Sequence, residues 1–206
     1  MRSARDVSLA GKTIRPNQHV CAFFSSKEEE YRVLMPFIKE GFERGERAFH
    51  VVDPEHRAAH LKRLEKSGIP VHEAAQRRQL EVRPWGEAYL RDGHFDQQRM
   101  IELIQEVLRE GKAQDFPLTR LVANMEWALE DRPGVDDIVE YESRLNYVLP
   151  QYDDVVVCTY DLAKFNATVV MDIMRTHPMV IVGGILQENP FYVPPDEFIR
   201  ERRARQ

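Results

Sequence analysis

The sequence predicts an α/β fold: a mostly parallel central sheet of about six strands with helices on both faces. Three observations predict it. Short apolar runs recur along the chain, each followed by a segment with helical periodicity. The runs are apolar through their middles, as strands covered on both faces must be. No internal repeat, low-complexity stretch or linker interrupts the alternation, so one domain accounts for it.

The elements follow in order. His19–Phe24 (HVCAFF) reads as the first strand. Ser25 or Ser26 then caps a helix, with Glu28 or Glu29 completing a capping box. Val33, Leu34, Phe37, Ile38 and Phe42 recur at helical spacing, and Gly45 supplies the stop. Arg47–Val52 is the second strand, and Asp53-Pro54 opens the next helix as an N-cap followed by proline, with Gly68 at its end. Leu80–Arg83 is a short third strand. A helix near Phe95–Glu110 presents Met100, Ile101, Ile104, Val107 and Leu108 on one face. Thr119–Met125 is the fourth strand, and Val135–Leu149 a helix built on Ile138, Tyr141, Leu145 and Val148. Asp154–Asp161 is the fifth strand, Asn166–His177 a helix stopped by Pro178, and Met179–Gly184 the sixth strand. A short helix from about Pro195 carries the arginine-rich end. The expected organisation is a mobile leader over 1–17, one domain over 18–200 and a basic tail over 201–206.

Composition bounds the function. The 206 residues are 43% hydrophobic and 31% charged, which excludes a disordered chain. Lys and Arg number 29 against 34 Asp and Glu, a net charge of −5 that argues against direct nucleic-acid binding or attachment to anionic lipid. The chain has 2 cysteines, Cys21 and Cys158, too few for a disulfide framework. With no signal-peptide pattern and no long apolar run, the expected location is the cytoplasm, with no membrane span.

A phosphate loop would be the default site in this architecture. The one Gly-Lys-Thr triplet, Gly11-Lys12-Thr13, precedes the first strand and lacks the strand–loop–helix context that a phosphate cradle needs. The turn that does follow the first strand, Ser25-Ser26-Lys27-Glu28-Glu29-Glu30, has no glycine, and its three carboxylates compensate the helix dipole that would otherwise attract an anion. Other chemistry is thinner. His19 and Cys21 share one face of a buried strand, without the exposed, electropositive setting that makes a thiolate. His19, Cys21, Cys158 and His177 have no short metal-ligand spacing, so no metal or cofactor is assigned. His56 and His60 stand at i, i+4, and His72-Glu73-Ala74-Ala75-Gln76 misses a zinc-protease motif by one residue; both read as solvated helix faces.

In open parallel sheets, ligands sit beyond the carboxyl ends of the strands. Applied here, that rule selects Ser25, Ser26, Asp53, Trp85, Tyr89, Glu126, Trp127, Tyr160 and Asp161. Their aromatic rings and few acids have the composition of a small-molecule crevice.

The ordered motifs resemble a known family. His19-Val-Cys-Ala-Phe-Phe, Glu28-Glu29-Glu30-Tyr31, Gly41-Phe42-x-x-Gly45-Glu46-x-Ala48 and His50-Val51-Val52-Asp53 look like the opening of the MEDS domain, the methanogen/methylotroph DcmR sensory domain. Tyr89-Leu90, Phe95, Met125-x-Trp127-Ala128, Cys158-x-Tyr160-Asp161, His177-Pro178 and Asn189-Pro190-Phe191-Tyr192-x-Pro194-Pro195 continue the match over residues 18–200. The resemblance implies a relative of RecA/KaiC-type ATPase domains without the phosphate loop. It also implies a sensor of small organic molecules that signals to a histidine kinase or transcription regulator. No output module is legible in this sequence, so the expected output is a separate protein or another copy of the chain.

The reading is therefore a non-enzymatic sensory domain that binds a small organic ligand at the strand carboxyl edge. Two alternatives stand beside it: a nucleotide-binding or hydrolysing protein using Asp53, Glu55 and Glu126, and a ligand-independent oligomerisation or docking module.

Overall fold

In the computed structural model, which describes residues 6–205, a hairpin of β1 (Val7–Leu9) and β2 (Lys12–Ile14) precedes the main sheet. The expected apolar runs become β3 (Gln18–Phe24), β4 (Arg47–Val52), β5 (Leu80–Pro84), β6 (Thr119–Asn124), β7 (Val155–Asp161) and β8 (Met179–Val182), all parallel. A further strand, β9 (Ile185–Glu188), pairs antiparallel with β8. The 7-stranded sheet runs β5-β4-β6-β7-β3-β8-β9. Gly183 and Gly184, expected at the end of a strand, are the two positive-φ residues (58° and 74°) of the β8–β9 turn, a conformation that suits glycine.

Side-chain alternation assigns the faces. Val20, Ala22, Phe24, Val122, Val155 and Val157 point to one layer, where they meet α1 (Lys27–Glu43), α2 (Arg57–Lys66), α3 (Val71–Gln76) and the hairpin. Cys21, Phe23, Phe49, Leu121, Val156 and Tyr160 point to the other. They meet α4 (Gln97–Ala113), α5 (Ile138–Val148), α6 (Ala167–Arg175) and α7 (Pro195–Arg205). Helices thus cover both faces. Among the described residues, no helix is long and apolar enough to cross a membrane.

The first 17 residues differ from expectation where they are described. Val7, Leu9 and Ile14 are buried against α1, and Ser8 donates from its N–H and hydroxyl to Glu40 at 3.1 and 2.8 Å. Ala10 and Gly11, both at positive φ, make the hairpin turn, so the Gly11-Lys12-Thr13 triplet is a turn entering a strand. Residues 1–5 of the expected leader and residue 206 of the expected tail lie outside the described residues. Residues 201–205 continue α7. The extra elements β1, β2, β9 and α3 are all short, three to six residues, below the length at which periodicity speaks.

The α1 cap forms as the sequence implies, with Ser26 accepting from the Glu29 N–H at 3.2 Å and Glu29 in turn accepting from the Ser25 N–H at 2.8 Å. Ser26→Ala is expected to lower the unfolding free energy by about 1 kcal/mol. Urea unfolding checks this, and an unchanged midpoint would contradict it.

Candidate functional site

The carboxyl edge of the sheet carries a connected set of charges. Lys27, in the first turn of α1, lies 3.0 Å from Glu30 and 2.7 Å from Glu126. Glu126 follows β6 and is bonded on its other side by Lys164, from the loop after β7, while Asn124 Nδ2 donates to it at 3.0 Å. Burial opposes ionisation of Glu126, but Lys164, Lys27 and Asn124 hold its pKa at about 2. Burial likewise works against charge on Lys27, yet Glu30 and Glu126 keep its pKa above the ordinary lysine value. The ammonium that a phosphate loop would aim at a nucleotide is thus committed to two carboxylates.

Beside this network lies an open groove of about 590 Å³, bounded by Asp53, Trp85, Leu90, Glu126, Arg132 and Lys164. Of the residues expected at a ligand crevice, it gathers Asp53, Trp85 and Glu126. Asp53 accepts from the Glu55 N–H at 2.8 Å and lies 2.8 Å from His56 Nδ1, so it caps its helical turn while facing the groove. Glu55 lies on the groove wall. Ser25 and Ser26 stay at the exposed α1 cap. Asp161 accepts from the Ala163 N–H at 2.9 Å and shapes the loop that carries Lys164.

The other aromatics lie deeper. Tyr89 stacks on Trp127 with ring centroids 4.5 Å apart, and Phe95 packs on Trp127 at 4.4 Å. Both Tyr89 and Trp127 are buried. Strand ends in this layer are capped by the segment 85–95, which folds its rings into the core; the groove runs outside them. Tyr160 is buried too, and its hydroxyl donates to Glu142 at 3.1 Å.

On the opposite face, a smaller cavity of about 100 Å³ lies between α1, α2 and β4. His60 lies at its wall, 2.8 Å from the Tyr31 hydroxyl through Nδ1 and 2.9 Å from His50 Nδ1 through Nε2. His60, read from sequence as part of a solvated helix face, is buried because α2 turns it onto β4; His56 is exposed as expected. Burial lowers the pKa of both buried histidines, that of His60 to about 4.

A second polar cluster sits inside the other layer. His19 on β3, Glu142 on α5, Cys158 on β7 and His177 after α6 are all buried and bring one donor atom each within 4.8 Å of the others. Sequence reading found the two histidines and Cys158 but missed Glu142. The available signal was its position one turn after Ile138 and three residues before Leu145, on the apolar stripe of its helix.

Comparisons with known proteins place this geometry. The family model described as "MEthanogen/methylotroph, DcmR Sensory domain" matches residues 18–178. The chain is 25% identical over 178 residues to the transcriptional repressor DcmR of Methylorubrum extorquens, covering 86% of this chain and 64% of that protein. It therefore spans less than two thirds of that relative's length. Among solved structures, a KaiC-like protein of Pyrococcus horikoshii superposes with a TM-score of 0.62 at 16% identity, over 86% of this chain and 79% of that one. The flagellar accessory protein FlaH of Methanocaldococcus jannaschii gives 0.56 at 14%, over 89% and 84%. At such identities the two structures speak for the fold alone, which is KaiC-like.

Proposed function

Since the chain belongs to the MEDS family of sensory domains, we propose that it binds a small organic molecule in the groove at the strand carboxyl edge. It then relays occupancy to a separate output protein, a histidine kinase or transcription regulator, in the cytoplasm. The carrying observation is the linkage Lys164–Glu126–Lys27, which ties the groove wall to the first turn of α1. A ligand that favours one arrangement of Lys164 and Glu126 over another shifts the position of α1 and of the loop after β7. The apolar and aromatic part of the wall, Trp85 and Leu90, suits an uncharged carbon skeleton, and Arg132 and Lys164 suit a polar substituent on it.

Thermal-shift and native mass spectrometry screens of small organic compounds test this. A true ligand at 100 times its Kd raises stability by about 2.7 kcal/mol. Lys164→Ala and Trp85→Phe should weaken it about tenfold, the loss of one contact. Stabilisation by Mg-ATP alone would favour the nucleotide reading through Asp53, Glu55 and Glu126. A chain indifferent to every compound yet associating with itself or a partner would favour the docking module.

A further inference from the structure

The buried cluster of His19, Glu142, Cys158 and His177 has a hydrogen-bond pattern that leaves its centre unsatisfied. Asn146 Nδ2 donates to the carbonyls of Glu142, Ser143 and Thr176 at 3.2, 3.1 and 2.7 Å, which fixes its amide so that Oδ1 faces His19. His19 Nδ1, at 3.1 Å from that oxygen, must therefore be the donor. His177 Nδ1 lies 2.9 Å from the Ile173 carbonyl and is a donor for the same reason. Both imidazoles thus spend their Nδ1–H on outer oxygens and turn Nε2 inward, the arrangement that orients metal-ligating histidines. The two Nε2 atoms lie 3.2 and 3.1 Å from one carboxylate oxygen, Glu142 Oε2. With both rings neutral, two lone pairs face an anionic oxygen and repel it unless a cation stands between them. Glu142 Oε2 and His177 Nε2 are buried with no hydrogen-bond partner among the described residues.

The two nitrogen–oxygen spacings and the sulfur–nitrogen spacing match such a cation, and all four donors lie within 4.8 Å of one another, so that the looser pairs draw in on binding. Zinc bonds of about 2.0–2.2 Å to nitrogen and oxygen, at tetrahedral angles, put those donors about 3.3–3.5 Å apart; a bond of about 2.3 Å to sulfur puts it about 3.6 Å from nitrogen. Cys158 Sγ lies 3.7 Å from His19 Nε2. We propose that His19 Nε2, His177 Nε2, Glu142 Oε2 and Cys158 Sγ are the four ligands of a buried zinc-type divalent metal site. Thiolate with imidazole selects zinc over harder cations such as magnesium or calcium. Four protein ligands make the site structural, clamping β3, α5, β7 and the segment before β8. Binding forms four coordinate bonds and breaks the Cys158 S–H bond. The thiol proton passes to solvent, no oxidation state changes, and the metal with one carboxylate and one thiolate is neutral as a unit.

The test uses the full chain, stripped by unfolding in chelator and refolded, then titrated with cobalt(II). The expected result is about one cobalt per chain with the visible bands of tetrahedral cobalt and a thiolate-to-cobalt charge-transfer band, both displaced by zinc. The charge-transfer band should vanish in Cys158→Ser and survive in Cys21→Ser, and Glu142→Gln should weaken uptake at least tenfold. Because Cys158→Ser or Glu142→Gln may impair folding, zinc is also added to the unmodified stripped chain, where it should raise the melting temperature reversibly with chelator. No cobalt uptake and no zinc stabilisation by the unmodified chain would overturn the site. So would a charge-transfer band that persists in Cys158→Ser or follows Cys21 instead.

Discussion

Replacing Arg120 by alanine is expected to destabilise the fold by about 3–5 kcal/mol, the cost of removing one partner from a buried ion pair. Arg120 sits at the amino end of β6, 1% exposed, and its Nε donates to Glu46 at 2.6 Å. Its Nη2 lies 2.9 Å from Glu40, its Nη1 donates to the Phe37 carbonyl, and its guanidinium lies 4.6 Å over the Phe37 ring. The room for this side chain comes from Gly41, where an added Cβ would stand 2.8 Å from Arg120 Cδ. Without the arginine, Glu46 keeps a carboxylate inside the protein with no counter-charge, because its Oε1 already has no partner among the described residues.

The same principle sets the control. Removing both charges together, as Arg120→Met with Glu46→Leu, should recover most of the loss, since no unpaired charge is then left in the interior and Glu40 keeps Arg44 and Ser8 as partners. Urea unfolding of the single and double variants gives the coupling energy, expected above about 2 kcal/mol. A single-variant loss under about 1 kcal/mol would show that water reaches Glu46. This pair and Arg47, which donates to the Val107 carbonyl at 2.8 Å on the other face, close the amino edge of the sheet. The carboxyl edge is left for the groove.

The inner strands were legible because each is largely a run of apolar residues buried on both faces, as at Val20–Phe24 and Val155–Tyr160, and the helices because apolar residues recur at helical spacing, as from Val33 to Phe42 and from Met100 to Leu108. The hairpin at Val7–Ile14 was not. Its three buried side chains are separated by polar residues, and its partner, Glu40 on α1, is remote in sequence. β9 was hidden because Gly183-Gly184 reads equally as the end of a strand and as a turn between two.

At the site, sequence position predicted which residues reach the carboxyl edge but not how deep each side chain goes. Asp53 and Glu126 reach the groove because they stand one and two residues beyond the ends of their strands. Trp127, one residue later, turns the other way, stacked on Tyr89 and packed at a tilt against Phe95. The absence of a glycine cradle after β3 was readable, and the Lys27–Glu126 bridge explains what the lysine does in its place. The cluster around Glu142 was illegible as a set because its members come from four elements spread from His19 to His177, and only the folded sheet brings them together.

The second large effect is a loss of stability on mild acidification. His50 and His60 are pushed below the ordinary histidine pKa by burial, His60 to about 4, so the folded chain keeps them neutral where the unfolded chain, near 6.5, takes up protons. Stability from these two groups is therefore full above about pH 6.5 and falls as pH drops; the part due to His60 stops falling near pH 4, and its loss between pH 7 and 5 is about 2 kcal/mol. His50 acts in the same direction. Asp154 opposes them, because burial raises its carboxyl to about 6 and the folded chain binds its proton first, a gain of about 1 kcal/mol over the same interval. Glu126, held near 2, adds its own loss only below about pH 4.5, where the unfolded carboxyl begins to protonate. Urea midpoints of the unmodified chain and of His60→Gln, which retains hydrogen-bonding groups toward Tyr31 and His50, separate the contributions at pH 7 and 5. The variant should lose about 2 kcal/mol less, and Asp154→Asn about 1 kcal/mol more, than the unmodified chain. Parallel pH dependence in all three would mean that protonation of His60 is not coupled to folding, and that water enters the cavity between α1 and α2 freely enough to solvate the imidazolium.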